Sequence, residues 1–353
     1  MEQQPIAHQE SVLPFTFTGK GSEYFSIWIV NIALTIITLG IYSAWAKVRK
    51  MQYLYRNTSL AGSSFDYHGN PIAILKGRGI ALAALIAFQV SWQVSPMIGL
   101  LVIVLLAAVF PILIKRSLQF KLFNSSYRGL RFGFDGSNGA AYRIFLFLTV
   151  VTALINFIWP YTHHQIKNYQ HGNSRFGQAR FSFSATSRQF YKVYVRAALL
   201  GILGVVLIIA LLSTGILQSF STGADEPRGP WISIAGIVMV IFFFVLYQAL
   251  VGPYIQARIQ NIVWNNTKLG EHSFVSDVSA RKLFFITFTN FILIILTLGL
   301  YKPFATIRLL RYRLETMGFL PHGSMEAFLA GQAQQQSATG EETAEMFDVD
   351  ISF

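Results

Sequence analysis

"AWAKVRKMQYLYRNTSLAGSSFDYHG", Ala44 to Gly69, changes its period halfway along. Up to Arg56 apolar residues recur at helical spacing with Lys and Arg between them. After Asn57-Thr58, large apolar residues alternate with small or polar ones around Phe65 and Tyr67, which reads as a strand with Gly62 in the preceding turn. The same succession returns along the chain. Asn-Ser/Thr steps stand at Asn57-Thr58, Asn124-Ser125, Asn173-Ser174 and Asn266-Thr267, and a Phe follows eight residues after each Asn, at Phe65, Phe132, Phe181 and Phe274. Thirteen residues before each Asn stands Ala44, Pro111, Pro160 or Pro253. Pro303 opens a fifth copy, which has Thr316 where the Asn would be. Self-similarity at this scale marks a repeat-built architecture. The units run 15–64, 65–131, 132–180, 181–273 and 274–320, followed by an acidic tail, 321–353, expected to be partly disordered.

Seven apolar stretches lie between these steps: Phe25 to Ala44, Ile80 to Trp92, Met97 to Ile114, Ile144 to Tyr161, Ala197 to Leu217, Trp231 to Val251 and Leu283 to Tyr301. With 53% hydrophobic residues, 12% charged residues and a mean hydropathy of +0.46, the chain has the balance of a membrane protein. Most of the stretches approach the roughly 20 residues that a helix needs to cross a bilayer. The fold class expected from these features is an all-α polytopic membrane protein with internal repeats. It would have seven membrane-embedded helical segments, short cytoplasmic β-hairpins, and basic helices lying along the headgroups with their cations snorkelling outward. The tail's "FDVDISF" alternates as well and could add a strand. The N-terminus lacks the pattern of a cleaved signal, so the first segment is expected to be retained.

"FTFTGKGSEYFSIWIVNIALTIITLGIYSAWAKVRKMQYLYRNTSLAG", with its F-x-F-x-G, TLG-I-Y and W-A-K-x-R motifs, resembles the YjgN family of bacterial inner-membrane proteins, a family defined by a domain of unknown function. The resemblance covers essentially the whole chain. It implies a multi-pass protein of the bacterial inner membrane and supplies no activity, substrate or catalytic residue.

Topology admits two readings. Full spanning is the commoner use of 20 apolar residues, so seven crossings are expected, yet they would split the basic loops between the two sides and strain the positive-inside rule. If the single segments of units one, three and five enter and return, 27 of the 28 Lys and Arg fall on the cytoplasmic side. Re-entrant backbone requires cover from protein or a wet cavity.

Residues with chemistry are few. No Asp or Glu lies inside an apolar segment, and the chain lacks cysteine, a P-loop, a G-x-S-x-G elbow and H-E-x-x-H. No enzyme activity, cofactor or metal site is therefore expected, and the histidines at 163, 164 and 171 read as interfacial. The neutral polar residues Asn31, Thr38, Asn156, Asn290 and Thr297 are candidates for a polar pathway. Arg49, Arg116, Arg258 and Arg308, each five residues after its anchor, are candidates for contact with anionic lipid headgroups. Their place beside apolar segments favours membrane lipids over nucleic acid as partners. Repeated architecture with polar mid-membrane residues points by analogy to a transporter or channel-like protein for a small solute or lipid. The alternative is a non-catalytic membrane-organising protein that binds anionic lipid through its basic helices.

Overall fold

The computed structural model describes residues 12–221, 230–332 and 334. Its centre is a closed ten-strand antiparallel β-barrel, which overturns the all-α expectation. The strands are β1 (Leu13–Phe17), β2 (Thr58–Leu60), β3 (Ser63–Tyr67), β4 (Ser125–Tyr127), β5 (Leu130–Phe134), β6 (Ser174–Phe176), β7 (Ala179–Phe183), β8 (Thr267–Leu269), β9 (His272–Ser276) and β10 (Met317–Leu320). Each strand pairs with its neighbours in the chain, and β10 returns to β1 through Leu13 opposite Phe319 and Pro14 opposite Gly318. What reads locally as separate hairpins thus joins into one sheet without edges, the arrangement that best protects short strands from stray pairing. The tight turns fall where glycine recurs. Ala61-Gly62 and Arg128-Gly129 both have positive φ at each residue, as the hairpin turns that match strand twist require.

The barrel is filled by the recurring phenylalanines. Phe15, Phe65, Phe132, Phe181, Phe274 and Phe319 pack in one cluster with Leu60, Tyr127, Phe176 and Leu269. Ten strands enclose somewhat more room than the eight that side chains just fill. A short helix at 325–332 lies over the turn-side mouth, placing Met325 and Leu329 in the same cluster.

Between paired strands the chain makes five helical excursions from the opposite rim. The first comprises α1 (Gly21–Ile37) and α2 (Ser43–Arg56), and the second α3 (Pro71–Val94) and α4 (Pro96–Phe123). The third runs through α5 (Asn138–Tyr142), a π-helical stretch (Arg143–Leu148), α6 (Thr149–Leu154) and α7 (Trp159–Gly172). The fourth comprises α8 (Ser187–Ser221) and α9 (Pro230–Asn265), and the fifth α10 (Ala280–Leu296) and α11 (Lys302–Glu315). Every excursion starts and ends on adjacent strands: Phe17 faces Thr58, Tyr67 faces Ser125, Phe134 faces Ser174, Phe183 faces Thr267 and Ser276 faces Met317. Barrel closure therefore brings all five loops out of and back to one rim, which excludes seven successive crossings. Among the described residues only α3 and α4 are long and apolar enough to cross a membrane. The helix α1, with 17 residues, spans about 25 Å and then turns back.

The turn is the TLG motif. Thr38 ends α1, Leu39 takes a left-handed φ of 48°, and the Gly40 N–H reaches the Thr35 carbonyl at 2.7 Å while Leu39 N–H bonds to Ile36. Thr38 Oγ1 donates to the Leu34 carbonyl at 2.7 Å and accepts from Tyr42 N–H at 2.9 Å. The fifth excursion repeats this at Thr297, Leu298 and Gly299 with the same distances, 2.7 and 2.9 Å. Paired 6→1 and 5→2 bonds satisfy the last carbonyls of the helix and reverse its direction. A run of about 20 apolar residues is thus one arm and the bend of a helical hairpin, which local hydropathy cannot distinguish from a span.

Where each hairpin rejoins the barrel, the Asn-Ser/Thr step closes the helix. The amides of Asn57, Asn124, Asn173 and Asn266 donate to the carbonyls of Tyr53, Phe120, Tyr169 and Ile262 at 2.7–2.9 Å. The next hydroxyl, on Thr58, Ser125, Ser174 or Thr267, donates to the following free carbonyl at 2.6–2.9 Å. The carbonyl of each Asn then accepts a backbone N–H from the departing strand's end, at Thr18, His68, Asp135 and Ser184. Thr316 fills the same place for Asp277. The basic helices do not lie flat on a surface: α2, α7 and α11 are return arms, and in α4 and α9 the basic segment continues an apolar helix through Pro111 and Pro253.

Candidate functional site: a cationic chamber above the barrel

The return arms begin at the anchors Ala44, Pro111, Pro160, Pro253 and Pro303, all buried. Seven and ten residues later each arm carries a pair one helical turn apart and therefore on one face. The pairs are Met51 and Leu54, Leu118 and Lys121, Lys167 and Gln170, Gln260 and Val263, and Leu310 and Arg313. All ten line two adjoining cavities of about 600 and 560 Å³, which share Lys121, Gln260, Trp264 and Arg313 and reach the barrel rim at Thr58, Ser174 and Met317. The five arms thus surround one chamber between barrel and hairpins.

Its polar lining is one-sided. Lys121, Lys167 and Arg313 converge there, and among the described residues no Asp or Glu lines either cavity. The four ion pairs among the described residues lie elsewhere. Gln260 and Arg313 hold each other, with Arg313 Nε donating to Gln260 Oε1 and Gln260 Nε2 donating to the Arg313 carbonyl at 3.1 Å. Lys167 Nζ donates to Gln170 Oε1 at 3.3 Å. Burial, then the charges of Lys121 and Arg313, hold the Lys167 amine below its ordinary value. His171, between the rings of Phe183 and Trp264, is lowered to about 4 by burial and then by Lys167 and Lys121. Like charges gathered without a counter-charge are costly, and an anion removes that cost.

None of the pathway or headgroup candidates lines this chamber, whereas His163 and His171, read from sequence as interfacial, do. Asn31 is buried in α1 with Oδ1 unpartnered, whereas Asn290 ties α10 to α11 through the Ala305 carbonyl at 3.2 Å. Thr38 and Thr297 form the hairpin bends, and Asn156 is exposed at the bend of the third excursion. Arg49, Arg116, Arg258 and Arg308 are exposed on the outer face of their arms. Arg49 donates to Tyr42 OH at 3.0 Å and Arg258 lies over the Tyr254 ring. Arg308 donates to Thr289 Oγ1 at 2.8 Å and Asn290 Oδ1 at 3.3 Å, which joins one pathway candidate to one headgroup candidate within a single hairpin. His163 shares a hydrogen bond with Tyr194 OH and His164 donates to the Ala185 carbonyl, both within helix packing. The signal that marks the chamber residues is their common offset from the anchors.

Residues 12–346 match the family described as bacterial protein of unknown function, DUF898. The inner membrane protein YjgN of Salmonella typhimurium is 26% identical over 344 residues, covering 84% of this chain and 85% of its own. The protein of the same name from Escherichia coli K12 is 31% identical over 147 residues, covering 40% of this chain and 35% of its own. No solved structure matches.

Proposed function

The chain belongs to the DUF898 family of bacterial proteins of unknown function, and from that premise we propose that it is an inner-membrane protein that binds a small anionic solute or lipid and passes it along the axis of the chamber. The convergence of Lys121, Lys167 and Arg313, with no carboxylate beside them among the described residues, carries this reading. Membrane residence draws support from the relatives' name and from α3, whose apolar stretch is left unburied by the rest of the chain's described residues. The barrel, fed from one rim, would sit on the cytoplasmic face, where the excess of Lys and Arg belongs. The chamber's polar lining consists of groups suited to holding an anion, which supports carriage.

A second reading, lipid organisation, is favoured by the four outward arginines, which present charge to the surroundings and away from the chamber. One experiment separates the two. The full chain in phosphatidylcholine nanodiscs is titrated with inorganic phosphate, and in liposomes phosphate flux is followed. Lys167→Gln with Arg313→Gln is expected to remove binding and flux, while Gln at Arg49, Arg116, Arg258 and Arg308 together leaves both intact. The reverse pattern, with loss of anionic-vesicle association only in the quadruple variant and no phosphate binding at all, would establish the second reading.

A further inference from the structure

The chamber continues into a space of opposite character. Phe15, Phe65 and Trp264 line both the chamber and a cavity of about 140 Å³ inside the barrel. The wall of that cavity is aromatic and aliphatic, and its hydroxyl, on Tyr127, is committed to the Leu60 carbonyl at 2.7 Å. The far end is covered by the helix at 325–332, with Met325 and Phe328 as part of the wall. That helix is pinned by Gln332 Oε1, which accepts the N–H groups of Gln178 and Ala179 at 2.8 Å each. With that end covered, Phe15, Phe65 and Trp264 mark the side on which the barrel cavity borders the chamber.

Two costs stand side by side: cations with no carboxylate beside them among the described residues, and an apolar void that a single domain usually closes. A void of about 150 Å³ lined by apolar side chains stays dry and accepts a benzene-sized group. Resting on the reading of the chamber as an anion site, we infer that its ligand is an amphipathic anion. The acidic head is held by Lys121, Lys167 and Arg313, and a compact alkyl or aryl body of five to seven carbons, roughly benzene-sized, enters the barrel. A diacyl lipid whose head occupied the chamber would leave its chains in the bilayer and the barrel empty.

The test compares hexyl phosphate with inorganic phosphate by calorimetry on the full chain in phosphatidylcholine nanodiscs, with empty discs subtracting partition. Hexyl phosphate is expected to bind at least about tenfold more tightly, the effect of burying two methylenes. Leu269→Trp in β8 and Met325→Trp on the covering helix fill the cavity from two different elements. Each is expected to cut that advantage below about twofold, leaving inorganic phosphate affinity unchanged. Lys167→Gln lowers both. Equal affinities in the unaltered protein, or an advantage that survives both tryptophans, would overturn the inference and leave the anion site standing. Phosphatidylglycerol in the disc abolishing both signals would also overturn it, by assigning the chamber to a membrane lipid head. If neither phosphate binds, the anion site falls and this inference with it.

Discussion

The two faces of the return arms follow opposite rules. On the outer face, five residues after the anchor, four of five copies carry Arg: Arg49, Arg116, Arg258 and Arg308. On the inner face, at offsets seven and ten, the copies disagree: one arm offers Met51 and Leu54, others Lys121, Lys167, Gln260 or Arg313. What recurs meets a requirement that every copy shares, such as capping, turning or facing the same surroundings. What differs meets a requirement that the assembled ring has only once. A ligand on the axis of five similar arms sees each from a different side, so its partners need not repeat.

The largest effect should come from making the inner face uniform. Lys121→Leu with Lys167→Gln and Arg313→Leu gives the chamber neutral walls and is expected to weaken phosphate binding at least about 100-fold, measured by calorimetry in nanodiscs. Charge reversal at the four outer arginines should change it less than about threefold, the effect of long-range field alone. If the outer set matters more, the comparison of faces is the wrong way round.

A pH titration sharpens it next. His171, eleven residues after Pro160, is held at about 4 in the folded chain, against about 6.5 when unfolded. The folded state thus binds fewer protons between these values, so stability is complete above about pH 6.5 and falls as pH drops toward 4, by up to about 1.4 kcal/mol per unit. Denaturation midpoints between pH 7.5 and 4.5 should show that slope together with a like share from His163, lowered to about 4 by burial, and His171→Phe should remove the His171 share alone. Phosphate in the chamber favours the imidazolium, so saturating ligand should raise the His171 value observed by NMR.

Much of the chain was legible because its requirements are local. The period change after Asn57 and the glycines in the hairpin turns are each satisfied within a few residues, by the Tyr53 carbonyl or a positive φ. The closed barrel was not legible, since its strands have only three to five residues and its closing pair joins Leu13 to Phe319 across the whole chain. The spans were misjudged for the same reason: hydropathy weighs α1 and α10 as segments, while their direction is set by strand pairing at Phe17 and Thr58 or Ser276 and Met317. The chamber escaped notice because Lys121, Lys167 and Arg313 are ordinary cations until five arms place them together. Nothing but the offset from the anchors links them in the sequence.

The recurring features should have effects on stability and not on ligand. Asn124→Ala removes the amide that caps α4 at Phe120 and is expected to cost about 1 kcal/mol, with phosphate affinity unchanged. Asn57→Ala should behave alike, and the pair, on separate arms, should add. A change in affinity at either would tie the junction to the site.

The smallest effect concerns the hairpin tips. Leu39 and Leu298 are each 94% exposed and hold φ near 48° and 49°, a conformation that glycine adopts without strain and leucine does not. A leucine left almost wholly exposed by the described residues and straining its own backbone, twice over, is placed for the surroundings. Met97 and Leu154 at the second and third bends share the exposure, at 81% and 80%, without the strained backbone. Apolar tips on four of the five hairpins fit insertion into hydrocarbon. Leu39→Gly with Leu298→Gly should therefore leave the detergent-solubilised fold as stable as before or up to about 1 kcal/mol more stable, because the strain is relieved. In vesicles the same variant should lose the depth-dependent quenching by lipid-borne quenchers that labels at Ile41 and Leu300, exposed beside the tips, report in the unaltered sequence. If it is instead destabilised in detergent, the two leucines serve the fold, and the tips belong with the recurring, structural side of the comparison.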